Sequence, residues 1–175
     1  FYRASKESRP IVLCCPIDLQ NKECDADGDA YQPSSTLFSG QQAIRPALTQ
    51  VRAAADMIGK AKKPVVLLGR GAMTPDAMAA AQQLAQRVGA LIATTLVAKG
   101  TLADSEYYVG VSGLFAAREV LQLFDEADCV IAVGARVSTH TIAGGSAYPN
   151  ARFVHIDIEP HKMMGNAQDR KSTRL

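Results

Sequence analysis

The chain has 175 residues, 47% of them hydrophobic and 21% charged, which is typical of one globular domain with a buried core. Its 19 basic and 17 acidic residues leave a formal net charge of +2, so the overall charge favours neither nucleic-acid nor membrane binding. No apolar stretch approaches the roughly 20 residues of a membrane span, and the first residues lack a signal-peptide profile. We therefore expect a cytoplasmic protein whose partner is a small molecule or another protein.

The cysteines and histidines do not predict a metal site. No CxxC pair occurs and no histidine stands at zinc-ligand spacing, so free thiols are expected at Cys14, Cys15, Cys24 and Cys129. His155 flanks an apolar strand and is expected to be a packed or half-exposed structural residue, whereas His140 and His161 stand apart from it. A nucleophile elbow, an HExxH helix and a Walker loop are all missing from the sequence, so no catalytic residue is assigned.

The first 45 residues differ in character from the rest. Residues 10–16 form a short apolar run between two prolines, which predicts a buried strand without a neighbouring helix. Between residues 21 and 40 the sequence turns to Asp, Gly, Pro, Ser and Gln, as is typical of an exposed linker. We therefore expect a strand, a linker over residues 21–45 and a new domain that starts at residue 46.

Helical and strand patterns alternate after Pro46. A helix that ends between Gly59 and Lys63 is predicted by apolar residues at spacings of three and four: Leu48, Val51, Ala55, Ile58 and Ala61. Further helices are predicted near residues 75–88 and 114–124, and buried strands at residues 64–69, 90–94, 129–134 and 152–158. This alternation predicts an α/β fold, a doubly wound parallel sheet of about six strands with helices on both faces.

Ligands of open parallel sheets bind beyond the carboxyl ends of the strands, so the residues that follow each strand are the candidate site. Glycines at these places let the backbone approach a phosphate, and Arg70 and Arg136 offer fork-shaped phosphate contacts. Turns that bind nothing would explain the same glycines, and no complete GxGxxG motif is present. Asp157 suits either a ribose hydroxyl or a cap for the turn at Pro160.

The order and spacing of several landmarks resemble thiamine-diphosphate-dependent enzymes of the acetolactate synthase, benzoylformate decarboxylase and oxalyl-CoA decarboxylase family. Residues 9–20 are similar to the apolar strand and Pro-x-Asp that close the pyrimidine-binding domain of these enzymes. Their Rossmann-like middle domain is resembled by residues 63–72, 94–100, 110–113, 127–136 and 153–160. The resemblance covers residues 9–166, nearly the whole chain.

The resemblance implies a division of the chain into four parts. Residues 1–20 would end a pyrimidine-binding domain, followed by the linker at 21–45, the middle domain at 46–166 and a tail at 167–175. In this family, thiamine diphosphate and Mg²⁺ lie between the pyrimidine-binding domain and a pyrophosphate-binding domain with a Gly-Asp-Gly motif, which this sequence lacks. We therefore expect a chain that is inactive alone and does not bind thiamine diphosphate.

The parent enzyme implied by the resemblance is a lyase or transferase that acts on 2-oxo acids or related acyl substrates. Its expected partners are the remaining domains of the parent chain, in a homo-oligomer such as a dimer or tetramer. The alternative is a stand-alone nucleotide-binding module with a regulatory or scaffold role. An NAD-dependent deacylase is disfavoured, because the sequence has neither a zinc cysteine quartet nor a long Gly-Ala-Gly loop.

Some members of the family bind FAD in the middle domain, and an oxalyl-CoA-decarboxylating branch binds ADP there. Carried over by position, the resemblance places nucleotide contacts on Gly69, Arg70, Gly71, Thr95, Leu96, Gly110, Gly113, Gly134, Arg136, Asp157 and Ile158. Flavin-binding members resemble Phe-Asp-Asp-Arg after the last glycine turn, whereas Val137, Ser138, Thr139 and His140 stand here. We therefore expect ADP or a CoA nucleotide to bind better than FAD.

Overall fold

The structure is a computed structural model that describes residues 10–22, 45–159 and 173–174, together with the single positions 4, 33 and 36. It divides into two compact units, Phe1–Ile44 and Arg45–Leu175. In the first unit, the four-residue helix α1 (Ile17–Gln20) follows Pro16. The expected linker lies almost wholly outside the described residues.

The prediction of a buried strand at residues 10–16 is wrong. The stretch has no strand pairing, and its apolar side chains are exposed, with 86% of Val12 and 82% of Leu13 accessible to solvent. An apolar run of β-forming residues becomes a strand only when a neighbour completes its backbone hydrogen bonds. No residue in the described part of the chain pairs with it, so composition alone misleads here.

Helices and strands alternate in the second unit, as predicted. The helices are α2 (Leu48–Gly59), α3 (Pro75–Val88) and α4 (Arg118–Asp125). The strands are β1 (Pro64–Leu68), β2 (Leu91–Thr94), β3 (Tyr108–Val111), β4 (Cys129–Val133), β5 (Arg152–Ile156) and β6 (Thr173–Arg174). Helix α3 begins where the Thr74 hydroxyl accepts the Ala77 amide at 3.3 Å, and it ends at Gly89, whose φ is +67°. None of the helices built from described residues is long and apolar enough to cross a membrane.

The sheet has the strand order β3-β2-β1-β4-β5-β6, and every pair of neighbours is parallel. The first strand in the sequence, β1, lies in the middle of the sheet. Strands β2 and β3 follow on one side of it, and β4, β5 and β6 follow on the other side. Leu68, at the end of β1, lies opposite Thr94 on one side and Val133 on the other. The α/β, doubly wound parallel fold is thus confirmed, and the two halves of the sheet meet at β1 and β4.

Several boundaries differ from the sequence prediction. Strand β3 is not among the predicted strands, because it is short, contains Gly110 and lies half-buried at the edge of the sheet. The helix predicted from residue 114 begins at Arg118, since the 3₁₀ turn Gly113–Phe115 intervenes. The last predicted strand ends at Ile156. Thr173–Arg174, expected in the tail, pair in parallel with β5.

Both faces of the sheet are buried, as its apolar runs predict. Val65 and Leu67 of β1 pack on the side of α4, whereas Val66 and Leu68 pack on the side of α2 and α3. Each of these side chains is at most 1% exposed. Full burial of a Val or Leu side chain stabilises a protein by about 1.5–3 kcal/mol, so the central strand anchors both helical layers.

Asp128 joins three strands at the amino edge of the sheet. Its carboxylate accepts the amides of Lys62 at 2.7 Å and Lys63 at 3.0 Å, just before β1. Its amide donates to the Lys63 carbonyl, and its own carbonyl accepts the Arg152 amide at 2.9 Å. One residue therefore fixes the amino ends of β1, β4 and β5 relative to one another.

Candidate functional site

The predicted site residues gather at the carboxyl edge of the sheet, which we define as the residues that follow the carboxyl ends of β1 to β5. The neighbouring strands β3, β2 and β1 each lead into a 3₁₀ turn, at Gly113–Phe115, Leu96–Ala98 and Arg70–Ala72. Strand β4 leads instead into a connection over residues 134–151, the β4–β5 connection, which contains no α-helix. Gly110 is the exception among the predicted residues, because it lies inside β3.

The turns after β1 and β4 pack backbone against backbone. The Gly69 amide donates to the Val133 carbonyl and the Gly71 amide to the Gly134 carbonyl, both at 3.0 Å. A Cβ on Gly71 would stand 2.8 Å from the Cα of Gly134, and Gly134 has a φ of +53°. The protein itself fills the space beside these glycines, so their first role is the contact between the two turns.

Arg70 and Arg136 are positively charged residues of this region. Each lies on one of the two packed turns and is exposed. Neither forms an ion pair with another residue in the described part of the chain. Guanidinium groups donate charge-assisted, fork-shaped hydrogen bonds to phosphate oxygens. An anion at this edge would therefore meet side-chain donors, since the amides of Gly69 and Gly71 are already used.

The turn after β3 is bonded to the β4–β5 connection, although β2 and β1 separate β3 from β4 in the sheet. The Ser112 amide donates to the Thr94 carbonyl at 2.8 Å, and the Leu114 amide donates to the His140 carbonyl at 2.9 Å. Gly113, with a φ of +80°, lies so close to His140 and Thr141 that a side chain would meet their backbone. The protein therefore uses two amides of this turn, which leaves fewer donors for a phosphate.

Ser112, Thr141 and Tyr148 form a buried polar network beside this contact, with 2%, 8% and 3% of their surfaces exposed. Ser112 Oγ lies 2.8 Å from the Thr141 carbonyl and 2.8 Å from the Tyr148 hydroxyl. Thr141 Oγ1 lies 2.9 Å from the carbonyl of Arg136. Burial raises the pKa of the Tyr148 phenol. The sequence prediction misses this network, because its members lie 29 and 36 positions apart and form no local motif.

The turn after β2 presents apolar surface. The Thr95 amide donates to the Leu68 carbonyl at 2.8 Å, which fixes the start of the turn. Leu96 is 49% exposed, and Leu114 and Phe115 of the neighbouring turn are 59% and 57% exposed. Apolar side chains of this kind pack against a flat ring or another protein surface. This side of the carboxyl edge therefore differs in character from the side that carries the two arginines.

The acidic residue after β5 caps its own turn. Asp157 Oδ1 accepts the Glu159 amide at 2.9 Å, the hydrogen bond of an Asx turn. Of the two roles that the sequence leaves open, the structure contains the local cap, which occupies one carboxylate oxygen. Ile158 beside it is 73% exposed. Both residues lie at the carboxyl edge, and their contact with a nucleotide stays a prediction.

Two residues of reactive types lie inside the sheet. His155 is fully buried, and its Nε2 lies 2.9 Å from the Ala135 carbonyl, so it packs against the turn after β4 as a structural residue. Cys129 is also buried, and desolvation raises the pKa of its thiol to about 11. Cys14, Cys15 and Cys129 are free thiols, as expected, whereas Cys24 lies outside the described residues. A buried, protonated thiol is chemically inert, so Cys129 is not a candidate nucleophile.

Comparison with known proteins places this fold in one family. The family described as thiamine pyrophosphate enzyme, central domain, matches residues 51–172. The acetolactate synthase large subunit of Corynebacterium glutamicum is 31% identical over 159 residues, which cover 86% of this chain and 24% of that protein. The glyoxylate carboligase of Escherichia coli O157:H7 is 31% identical over 156 residues, or 86% of this chain and 25% of its own length. The acetolactate synthase of Mycobacterium leprae is 26% identical over 169 residues, or 94% and 27%.

The chain spans about a quarter of the length of these curated relatives. The family match begins within α2 and includes every strand from β1 to β5, so it covers the whole candidate site. The resemblance that the sequence landmarks suggest is confirmed. The chain belongs to the family of thiamine pyrophosphate enzyme central domains.

Proposed function

We propose that this chain is the central domain of an enzyme that uses thiamine diphosphate to form or cleave a carbon–carbon bond next to a carbonyl group. The supporting observation is the family match over residues 51–172, with relatives named as acetolactate synthases and a glyoxylate carboligase. The parent enzyme would be a lyase or transferase of 2-oxo acids or related acyl substrates, in which the cofactor stabilises a carbanion. The proposed partners are the other domains of the parent chain and further copies of it in a homo-oligomer.

The described residues do not fit a site for thiamine diphosphate and Mg²⁺. Among them, no group of three or more His, Cys, Asp or Glu side chains could hold a metal ion, and no Gly-Asp-Gly occurs in the sequence. Mg²⁺ requires oxygen ligands in a near-octahedral arrangement. We therefore assign both groups to other domains of the parent enzyme and a structural role to this one. The cytoplasmic location stays a prediction.

We further propose that the carboxyl edge binds an adenine nucleotide, ADP or FAD. Arg70 and Arg136 would hold the phosphates, and an exposed apolar side chain on one side of them, Leu96 after β2 or Ile158 after β5, would cover the adenine ring. ADP or a CoA nucleotide is expected to bind better than FAD. Val137 is only 2% exposed, and Ser138 hydrogen-bonds to Thr141, so this stretch offers the flavin no charged side chains before His140.

Titration calorimetry of the purified chain tests both proposals. We expect no binding of thiamine diphosphate with Mg²⁺, no decarboxylation of 2-oxo acids, and measurable binding of ADP. Magnesium-dependent binding of thiamine diphosphate at micromolar affinity would overturn the assignment of the cofactor to other domains. The coding sequence downstream separates the enzyme from a stand-alone nucleotide-binding module, because only the former requires a Gly-Asp-Gly domain there.

A further inference from the structure

Tyr148 has a backbone conformation that calls for an explanation. Its φ is +63°, and Ala143 is the other residue besides glycine with a positive φ in the described part of the chain. A bulky residue in the left-handed region is strained, and it stays there only when its surroundings hold it. The Tyr148 ring packs between Phe124, at 4.8 Å between ring centroids, and Phe153, at 6.2 Å. The strained backbone thus places a buried phenol hydroxyl next to Ser112.

The hydrogen bonds of this network have a defined direction. Ser112 has one hydroxyl proton and donates it to the Thr141 carbonyl, so the Tyr148 hydroxyl must be the donor to Ser112 Oγ. Thr141 Oγ1 donates in turn to the Arg136 carbonyl, which also accepts the Ser138 amide at 2.9 Å. The chain of donors therefore runs from the strained residue to the backbone of Arg136.

We infer that Ser112, Thr141 and Tyr148 are positioning residues that hold the turn from which Arg136 reaches a nucleotide phosphate. The inference rests on the proposed nucleotide binding, and it adds that the turn after β3 acts through Arg136 rather than by binding the phosphate with its own amides. Two strands separate β3 from β4, yet the network joins their carboxyl ends. The turn after β3 and the turn that carries Arg136 are therefore held together by this network.

A double-mutant cycle with ADP as the probe tests this inference. Tyr148→Phe and Thr141→Val each remove one hydroxyl of the network and keep the shape of the side chain. We expect each to weaken ADP binding by about three- to tenfold, and to cause no further loss when Arg136 is already Ala. Thr141→Ser keeps the hydroxyl and should bind ADP like the wild type. Tyr108→Phe is the matched control, because the Tyr108 hydroxyl bonds to the Thr94 hydroxyl at 3.0 Å and to the Gly100 amide, and not to Ser112, Thr141 or Tyr148.

Hydrogen exchange provides a measurement that does not need the nucleotide. The amides of Ser138, Thr141 and Ile142 all bond within the β4–β5 connection. Tyr148→Phe and Thr141→Val should speed their exchange by about tenfold or more while the amides of α3 exchange as before. Equal exchange in wild type and variants would overturn the inference, as would an ADP effect of the same size in the Arg136→Ala background. If the wild type does not bind ADP while the variants exchange faster, the proposal of nucleotide binding is wrong. The inference that the network holds the turn of Arg136 is then still supported.

Discussion

Gly69 and Ala135 meet across the two central strands with no room for a side chain on the glycine. A Cβ on Gly69 would stand 2.8 Å from the Cβ of Ala135 and closer still to its Cα. Ala135 is fully buried, and its carbonyl lies 2.9 Å from His155 Nε2, so it cannot move away easily. The halves of the sheet are therefore joined at the carboxyl edge by contact of their main chains.

Gly69→Ala should destabilise the domain by about 1–3 kcal/mol, because the added methyl group overpacks a rigid contact. The matched control is Gly59→Ala at the end of α2, where a Cβ would meet nothing within 4 Å. That change should be neutral or stabilise by up to about 1 kcal/mol, since alanine favours helix over glycine. Urea unfolding of both variants measures the difference, and equal stabilities would show that the turns are not in contact.

Arg136→Ala should weaken ADP binding by about 1.5–3 kcal/mol, or roughly ten- to more than a hundredfold, through the loss of a charge-assisted contact. Arg70→Ala should weaken it as well if both packed turns face the phosphates. Arg87→Ala is a suitable control, because Arg87 is an exposed residue of the last turn of α3. Titrations of ADP and FAD against each variant decide the matter. Tight FAD binding, or ADP binding that neither arginine affects, contradicts the proposed site.

Val66→Asp or Val130→Asp should unfold the second unit. Both side chains are 0% exposed in central strands, and a buried carboxylate without a partner costs several kcal/mol against a total stability of about 5–15 kcal/mol. Val51→Asp changes a residue that is 39% exposed on α2 and should leave a cooperative transition. Thermal melts by circular dichroism compare the three, and a wild-type melt of Val66→Asp would contradict its burial.

Asp128→Ala should destabilise the domain by about 1–3 kcal/mol, because the amides of Lys62 and Lys63 lose their acceptor. Asp128→Asn keeps one carbonyl oxygen and should lie between the alanine variant and the wild type. Asp125→Ala, at the exposed end of α4, is the control and should change little. Denaturant midpoints measure the series, and an alanine variant as stable as the control would show that the carboxylate is not needed.

The buried thiol of Cys129 makes stability depend on pH. Its pKa is raised from 9.0 to about 11, so folding favours the protonated form. The stability that the protonated thiol contributes is fully present below pH 9 and is lost as the pH rises towards 11. The wild type should therefore lose stability over this range more steeply than Cys129→Ala, as measured by unfolding at each pH.

Thiol labelling checks the burial of the same residue. With a thiol reagent at pH 8, Cys14 and Cys15 should react at once and Cys129 only upon unfolding.

Sequence patterns predict helices and strands well where residues nearby in the sequence determine the secondary structure. The central strands are apolar runs buried on both faces, and α3 has a cap, an initial proline and a terminal glycine in its sequence. The stretch at residues 10–16 has the same apolar character and is not a strand, because pairing depends on residues far away in the sequence. The prediction errs in the opposite way at β3. Its sequence shows no clear strand pattern, yet the segment is a strand because it pairs with β2.

The candidate site, too, is predicted from the sequence only in part. The strand order places the predicted arginines and every predicted glycine except Gly110 at one edge, because the carboxyl ends of parallel strands lie on the same side of a sheet. The sequence does not reveal that Gly69, Gly71 and Gly134 serve contacts within the protein, because a glycine that faces a ligand and one that faces a neighbouring turn look alike. Ser112 and Tyr148 escape prediction for the same reason, as their partners are set by the tertiary fold.

The strand order also determines in which order contacts of the sheet can form while the chain is synthesised on the ribosome. Strands β1, β2 and β3 are neighbours in the sheet and leave the exit tunnel one after another, so half of the sheet can assemble early. Ser112 leaves the tunnel with this half, but its partners Thr141 and Tyr148 are translated only after β4. The contact between the turn after β3 and the β4–β5 connection can thus form only after residues 134–151 have also left the tunnel.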